Sequence, residues 1–213
     1  MYRLGMRRTD YLKASPPMFE SRLLDRFTRV HPVVPVLIYA PVIVLMLVLA
    51  VGRDGWWDTV GLALFGYLLW TLFEYWLHRI VFHFEPEVGI GARVHWMIHG
   101  VHHDHPNDPL RLVMPPAASI PLAVLVVGGI WLAAGSVHGP AIAAGFLIGY
   151  IVYDEIHYAL HHHVPKSRLG KRLRELHMRH HFQDDEKGFG ISAPYWDRAF
   201  GTYSSRRRRR DSA

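Results

Sequence analysis

The chain has 213 residues, half of them hydrophobic, a net charge of +6 and no cysteine. That length would suit one or two soluble domains, but the apolar residues come in four long blocks, two of them uncharged over eighteen residues or more, which soluble cores rarely contain, and two broken only late by Glu74 or by Asp154 and Glu155. The lack of cysteine excludes disulfides and thiolate ligands. The basic run at 206–210 has no aromatic interleaving, so beside these blocks it reads as a tail drawn to anionic headgroups, not a nucleic-acid site.

Residues 1–32 form a polar, basic lead-in, expected in the cytoplasm or at the membrane interface. The block 33–51 follows, nineteen residues without a charge; as a helix it spans about 28 Å, close to a hydrocarbon core of about 30 Å. It starts too late and runs too long for a signal peptide. Residues 52–58 predict a tight external turn, with Trp56 and Trp57 in an aromatic belt. A second span, 59–77, carries a single carboxylate, Glu74, and its helical pattern meets no breaker until Pro86. The stretch 85–93, with Gly89 and Gly91, reads as a loop, and 94–103 as the next helix, stopped by Pro106. A third span, 117–134, leads to an outer turn at 135–139, and Pro140 is placed to open a fourth, 141–160. Leucines at 169, 173 and 176 predict an amphipathic helix near the membrane surface over 167–181. The glycine- and aromatic-rich stretch 188–203 is expected to pack under the site. The reading is a single membrane domain, 33–203, with a basic tail, 204–213.

Of the 24 Lys and Arg residues, only Arg53 falls in the two short loops. By the positive-inside rule both termini and the central loop are cytoplasmic. The chain is then an integral, multi-pass protein of the inner membrane in a prokaryote, or of the endoplasmic reticulum in a eukaryote.

Sixteen histidines are present, and their spacing matters more than their number. Residues three and four apart share a helix face, so His99 with His102, His157 with His161, and His177 with His180 or His181 are each expected to converge. Neighbours such as His102 and His103 diverge by about 100° and suit two adjacent ions. His78 and His83, five apart, diverge further, and point to different metals or to a helix end between them. About ten histidines are too many for one tetrahedral zinc, whereas two ions with roughly five each fit. His31 and His138 stand apart and are given no role.

At these residues the sequence resembles the fatty acid hydroxylase superfamily of integral-membrane di-iron enzymes, over about 72–202. The pattern is His78-x4-His83, His99-x2-His102-His103, His157-x3-His161 and His177-x2-His180-His181. The resemblance is closest to the fatty acid 2-hydroxylases, through the stretches 99–108, 111–116 and 188–192 and through Tyr153-Asp154 before His157.

The resemblance implies an all-α, four-span fold with a cytoplasmic helical cap holding a dimetal site. Its ligands are His78, His83, His99, His102, His103, His157, His161, His177, His180 and His181. It also implies hydroxylation of a long acyl chain next to its carboxyl group, with O2 and two external electrons. Breaking an unactivated C–H bond needs redox chemistry, so two iron ions are expected; zinc has none and would fill the site without activity. Glu74, four residues before His78, and Asp154, three before His157, are placed to orient those rings, and His95 stands as a further supporting or substrate residue. His105, His162 and His163 fall outside the motif, as surface or outer groups. Residues 1–30 are too short for the haem domain of many eukaryotic members, so a separate electron donor is expected, a ferredoxin or a b-type cytochrome with its reductase. Two alternatives are a sterol or carotenoid hydroxylase or desaturase of the same superfamily, and a metal-handling membrane protein.

Overall fold

The computed structural model describes residues 6–86 and 88–205, which contain helices and no strand. The basic run 206–210 lies outside the described residues. Two short helices, α1 (Arg8–Leu12) and α2 (Arg22–Phe27), precede α3 (Val33–Asp54). α4 (Trp56–Trp76) is prolonged by a π-helical segment, Leu77–Phe82. Then come α5 (Gly89–His95), a second π segment (Trp96–Gly100) and α6 (Val101–Asp104). The chain ends with α7 (Pro116–His162), α8 (Arg168–Phe182) and α9 (Tyr195–Ala199).

Among the described residues, three helices are long and apolar enough to cross a membrane: α3, α4 with its π extension, and α7. The 47 residues of α7 would reach about 70 Å if straight, more than twice a hydrocarbon core. They are not straight, because Gly135 at φ 74° and ψ −179° breaks α7 into two arms. Gly55, at φ 77° and ψ 174°, separates α3 from α4 in the same way. Both outer turns are therefore shorter than expected, each reduced to a glycine whose backbone strains any side-chain-bearing residue. Pro140 lies inside the second arm instead of opening it. Having no N–H, it leaves the Ser136 carbonyl free, and Arg53 donates to that oxygen.

α4 and α7 touch backbone to backbone. A Cβ at Gly66 would lie 2.0 Å from the Ile142 oxygen, and one at Gly145 1.8 Å from that of Ala63. Such small-residue contact is how membrane helices gain packing when burial from water is not available. Trp70, Phe146, Leu147 and Tyr150 fill the core beside it.

Two parts of the cap differ from expectation. α5 begins inside the stretch read as a loop, because Gly91 serves contact and not turning: a Cβ there would meet the Pro86 ring at 2.9 Å. On α8, Leu173 and Leu176 are buried, but Leu169, on the same stripe in the first turn, is 69% exposed. The lead-in is strapped to the loop before α7. The Asn107 amide donates to the Leu12 carbonyl at 2.9 Å, and the Arg111 guanidinium pairs with Asp25 at 2.7 Å.

Candidate metal centre

Ten histidines meet in two groups of five, within each of which one ring nitrogen per residue lies within 4.8 Å of the others. The first group is His78, His83, His99, His103 and His180; the second is His102, His157, His161, His177 and His181. These are the ten residues of the sequence motif. The groups are neighbours, since His103 of the first stacks on His181 of the second at 4.3 Å between ring centres.

Helical geometry explains the sorting. Adjacent pairs divide as expected, His102 from His103 and His180 from His181, because 100° of rotation turns one ring to each group. Pairs four apart stay together: His99 with His103, His157 with His161, His177 with His181. Pairs three apart do not, so the expected convergence of His99 with His102 and of His177 with His180 is corrected. With two centres side by side, the fourth residue wins one face and the third turns to the other.

His78 and His83 belong to the same group, so separate metals do not describe them; a helix end does fall between them, since His83 is the residue just past the π segment, but it does not by itself bring them to one face. The π segment does. The His83 amide donates to the His78 carbonyl at 3.2 Å, the i to i+5 bond of a widened turn. That extra residue per turn brings a five-residue spacing onto one face. Nothing in residue type signals it; the odd spacing between two ligands was the available clue.

In the first group, Nε2 atoms face Nε2 atoms. His78 lies 3.2 Å from His99, His83 3.2 Å from His78 and 3.1 Å from His180, and His103 3.0 Å from His99. The His78 Nδ1–H donates to the Phe189 carbonyl and the His180 Nδ1–H to that of Lys187, both at 2.8 Å. In a neutral ring this leaves Nε2 with its lone pair pointing inward. Burial and neighbouring imidazoles push His83 and His102 down to about 3, and hold His99, His103, His177 and His181 below the ordinary range. Neutral rings with converging lone pairs repel one another and suit a cation. With metal–nitrogen bonds of about 2.1 Å, right-angle ligands sit about 3.0 Å apart and tetrahedral ones about 3.4 Å. Ring nitrogens 3.0–3.2 Å apart are at separations that ligands of one ion would have. Each group could hold a metal ion.

The second group has contacts of 3.0 Å between His102 and His157, 2.7 Å between His161 and His177, and 3.2 Å between His177 and His181. Its side chains come from α6, α7 and α8; the first group draws on both π segments, α6 and α8, with His83 just past the first π segment.

The expected supporting residues take other partners. Glu74 is buried and does not touch His78; it accepts from the Ser192 amide at 2.8 Å and from the Ser192 hydroxyl. It therefore anchors the loop whose Phe189 carbonyl orients His78. Asp154 is buried next to Tyr150 and the Met114 backbone, and no hydrogen bond from it to a histidine occurs among the described residues. His95 lies outside both groups, its Nε2 2.7 Å from the Phe82 carbonyl at the end of the first π segment. His105 is buried, not on the surface, and its Nδ1 lies 2.7 Å from the Tyr11 carbonyl.

The profile of the fatty acid hydroxylase family matches residues 63–202. A dihydroceramide fatty acyl 2-hydroxylase of Arabidopsis thaliana is 41% identical over 88% of this chain and 79% of its own length. The Saccharomyces cerevisiae ceramide very long chain fatty acid hydroxylase is 36% identical over 91% of this chain, which spans 50% of that protein. A solved structure of full-length scs7p, with only the hydroxylase domain visible, superposes with a TM-score of 0.85 at 34% identity, covering 91% of this chain and 74% of that one. With that profile over most of its length and close relatives at this identity, the chain belongs to the fatty acid hydroxylase family and is a hydroxylating oxidoreductase that acts on lipid.

Proposed function

We propose that the protein hydroxylates carbon 2 of a long acyl chain, in a fatty acid or a ceramide-type lipid, at a di-iron centre held by the ten histidines. The observation that carries the reading is the pair of five-histidine groups with inward lone pairs, in a chain whose relatives are named 2-hydroxylases. Iron is the metal because bound iron can activate O2 to break an unactivated C–H bond, which acid and base groups cannot do.

The chain's own part is holding and excluding. His78 and His180, fixed by backbone carbonyls, keep their Nε2 atoms unprotonated for the metal. Phe82 stacks on His99 at 5.0 Å and closes that side with an apolar ring. A small apolar cleft lined by Trp70, Phe73, Met114, Ala123, Phe146 and Tyr150 lies between α4 and the arms of α7, and it would have to widen to take an alkyl tail.

In this reading the two arms of α7 are separate crossings, giving four spans with both termini and the cap in the cytoplasm. Residues 1–32 are a cytoplasmic lead-in to a single membrane domain over 33–203, with a basic tail after it. Electrons come from a separate carrier, a ferredoxin or a b-type cytochrome with its reductase.

Expression with iron and an electron donor, followed by mass spectrometry of extracted lipids, tests the reading. One added oxygen on acyl chains, assigned to carbon 2 by fragmentation, is expected, and it should vanish in His102→Ala and His180→Ala. Unchanged lipids together with metal flux into vesicles would replace hydroxylation with metal handling.

A further inference from the structure

One buried carboxylate outside the histidine motif has a specific geometry. Asp197, on α9, is 1% exposed and lies next to no histidine ring. Its Oδ1 accepts from the Phe189 amide at 2.8 Å and the Thr202 hydroxyl at 2.9 Å, and its Oδ2 from the Gly190 amide at 3.0 Å. The segment is tied at both ends, by the Gly188 amide to the Thr202 carbonyl at 2.9 Å and by Ser192 to Glu74. There is no slack at Gly190, where a Cβ would meet the Ala193 oxygen at 2.5 Å and Asp197 Oδ2 at 3.0 Å. This fixed segment carries the two carbonyls, of Lys187 and Phe189, that take the Nδ1 protons of His180 and His78.

We infer that Asp197 is a positioning residue for the first metal alone: by fixing the 187–190 backbone it sets the tautomer and tilt of His78 and His180, two of the five histidines of that group. Among the described residues the second group has no equivalent frame: the Nδ1 atoms of His161, His177 and His181 have no hydrogen-bond partner, and four of its five rings are aimed by the regular spacing of α7 and α8. The inference rests on the metal-binding reading above. Supporting groups of this kind are worth about 10–100-fold in metal affinity.

Asp197→Asn tests it. Both oxygens of Asp197 accept from backbone amides, so the carboxamide must turn its NH2 toward one of them and lose that bond. Purified full-length protein loaded with ferrous iron would be challenged with a chelator, and iron per chain followed by elemental analysis. Wild type is expected to hold two ions. Asp197→Asn should release one of them about 10–100-fold faster and keep the other unchanged. The change should add to His161→Ala, leaving the chain close to empty, and add nothing to His83→Ala, which has already emptied the first site. Thr202→Val, which keeps the carboxylate and both amide bonds, provides a milder variant and should speed release of the same ion by a smaller factor. Equal acceleration of both ions in either variant would show a general loss of structure and overturn the inference, as would two ions held as firmly as in wild type. A wild-type protein that binds no iron would instead overturn the metal reading on which it rests.

Discussion

The two histidine groups have five residues each and are built differently. The second takes His157 with His161 and His177 with His181 from the four-residue spacing of regular α-helical turns. The first takes His78 with His83 across a π turn and leans on a loop far along the chain for the orientation of two rings. A repeat of 3.6 residues can aim a ring at one centre, but two centres side by side need some departure from it. The departure is concentrated in one group.

The strongest way to break this contrast is to change the length of the π turn. In an α-helix, residues five apart diverge by about 140° and residues four apart by about 40°. Deleting Ile80 should convert the widened turn to an ordinary one and leave His78 and His83 four apart, the spacing the second group already uses. Retention of two ions per chain is the expected result. Inserting an alanine after Arg79 should swing His83 out of the first group and weaken that ion by more than the about 10–100-fold that loss of a supporting residue costs, with hydroxylation abolished. If deletion and insertion are equally damaging, the π turn has some role other than aiming His83.

Much of this was legible in the sequence, and the illegible parts share a cause. The spans and the ten histidines are local features, stated by runs and spacings. The pairing of 99 with 103 instead of 102 was not, because spacings of three and four are both near one helical turn and only the presence of a second centre decides between them. Glu74 shows the same limit. Its helix position suggested His78 as a partner, yet the bond goes to Ser192, more than a hundred residues away, which no periodicity reveals. The turns at Gly55 and Gly135 were read as longer because polar residues around them can be either loop or helix end.

A smaller and shared effect is expected from acid. His83 of the first group and His102 of the second are both pushed down to about 3 by burial and by neighbouring imidazoles, His180 first among them. In the unfolded chain they take protons near 6.5. Between about pH 6.5 and pH 3 the unfolded state therefore binds more protons, and stability falls as pH falls. Metal-free protein should show a Tm that drops steadily between pH 7.5 and pH 5, with both groups contributing. A Tm that stays level over this range would mean that the rings are not held neutral by the fold.

The smallest effect, and the one that sharpens the boundary of the first group, concerns His95. Its spacing places it near His99 and His102, but its Nε2 meets the Phe82 carbonyl at 2.7 Å, next to the residue that stacks on His99. The carbonyls that end a widened turn lack the usual partner, and His95 supplies one. His95→Ala should therefore loosen the first ion by about 10-fold, the lower end of the about 10–100-fold range for supporting residues, and leave the second unchanged. His95→Gln keeps an N–H at a similar reach and should recover most of the loss, which a merely space-filling role would not require. Complete loss of an ion in His95→Ala, unrelieved by glutamine, would instead make His95 a ligand, and the first group would then have six histidines to the second group's five.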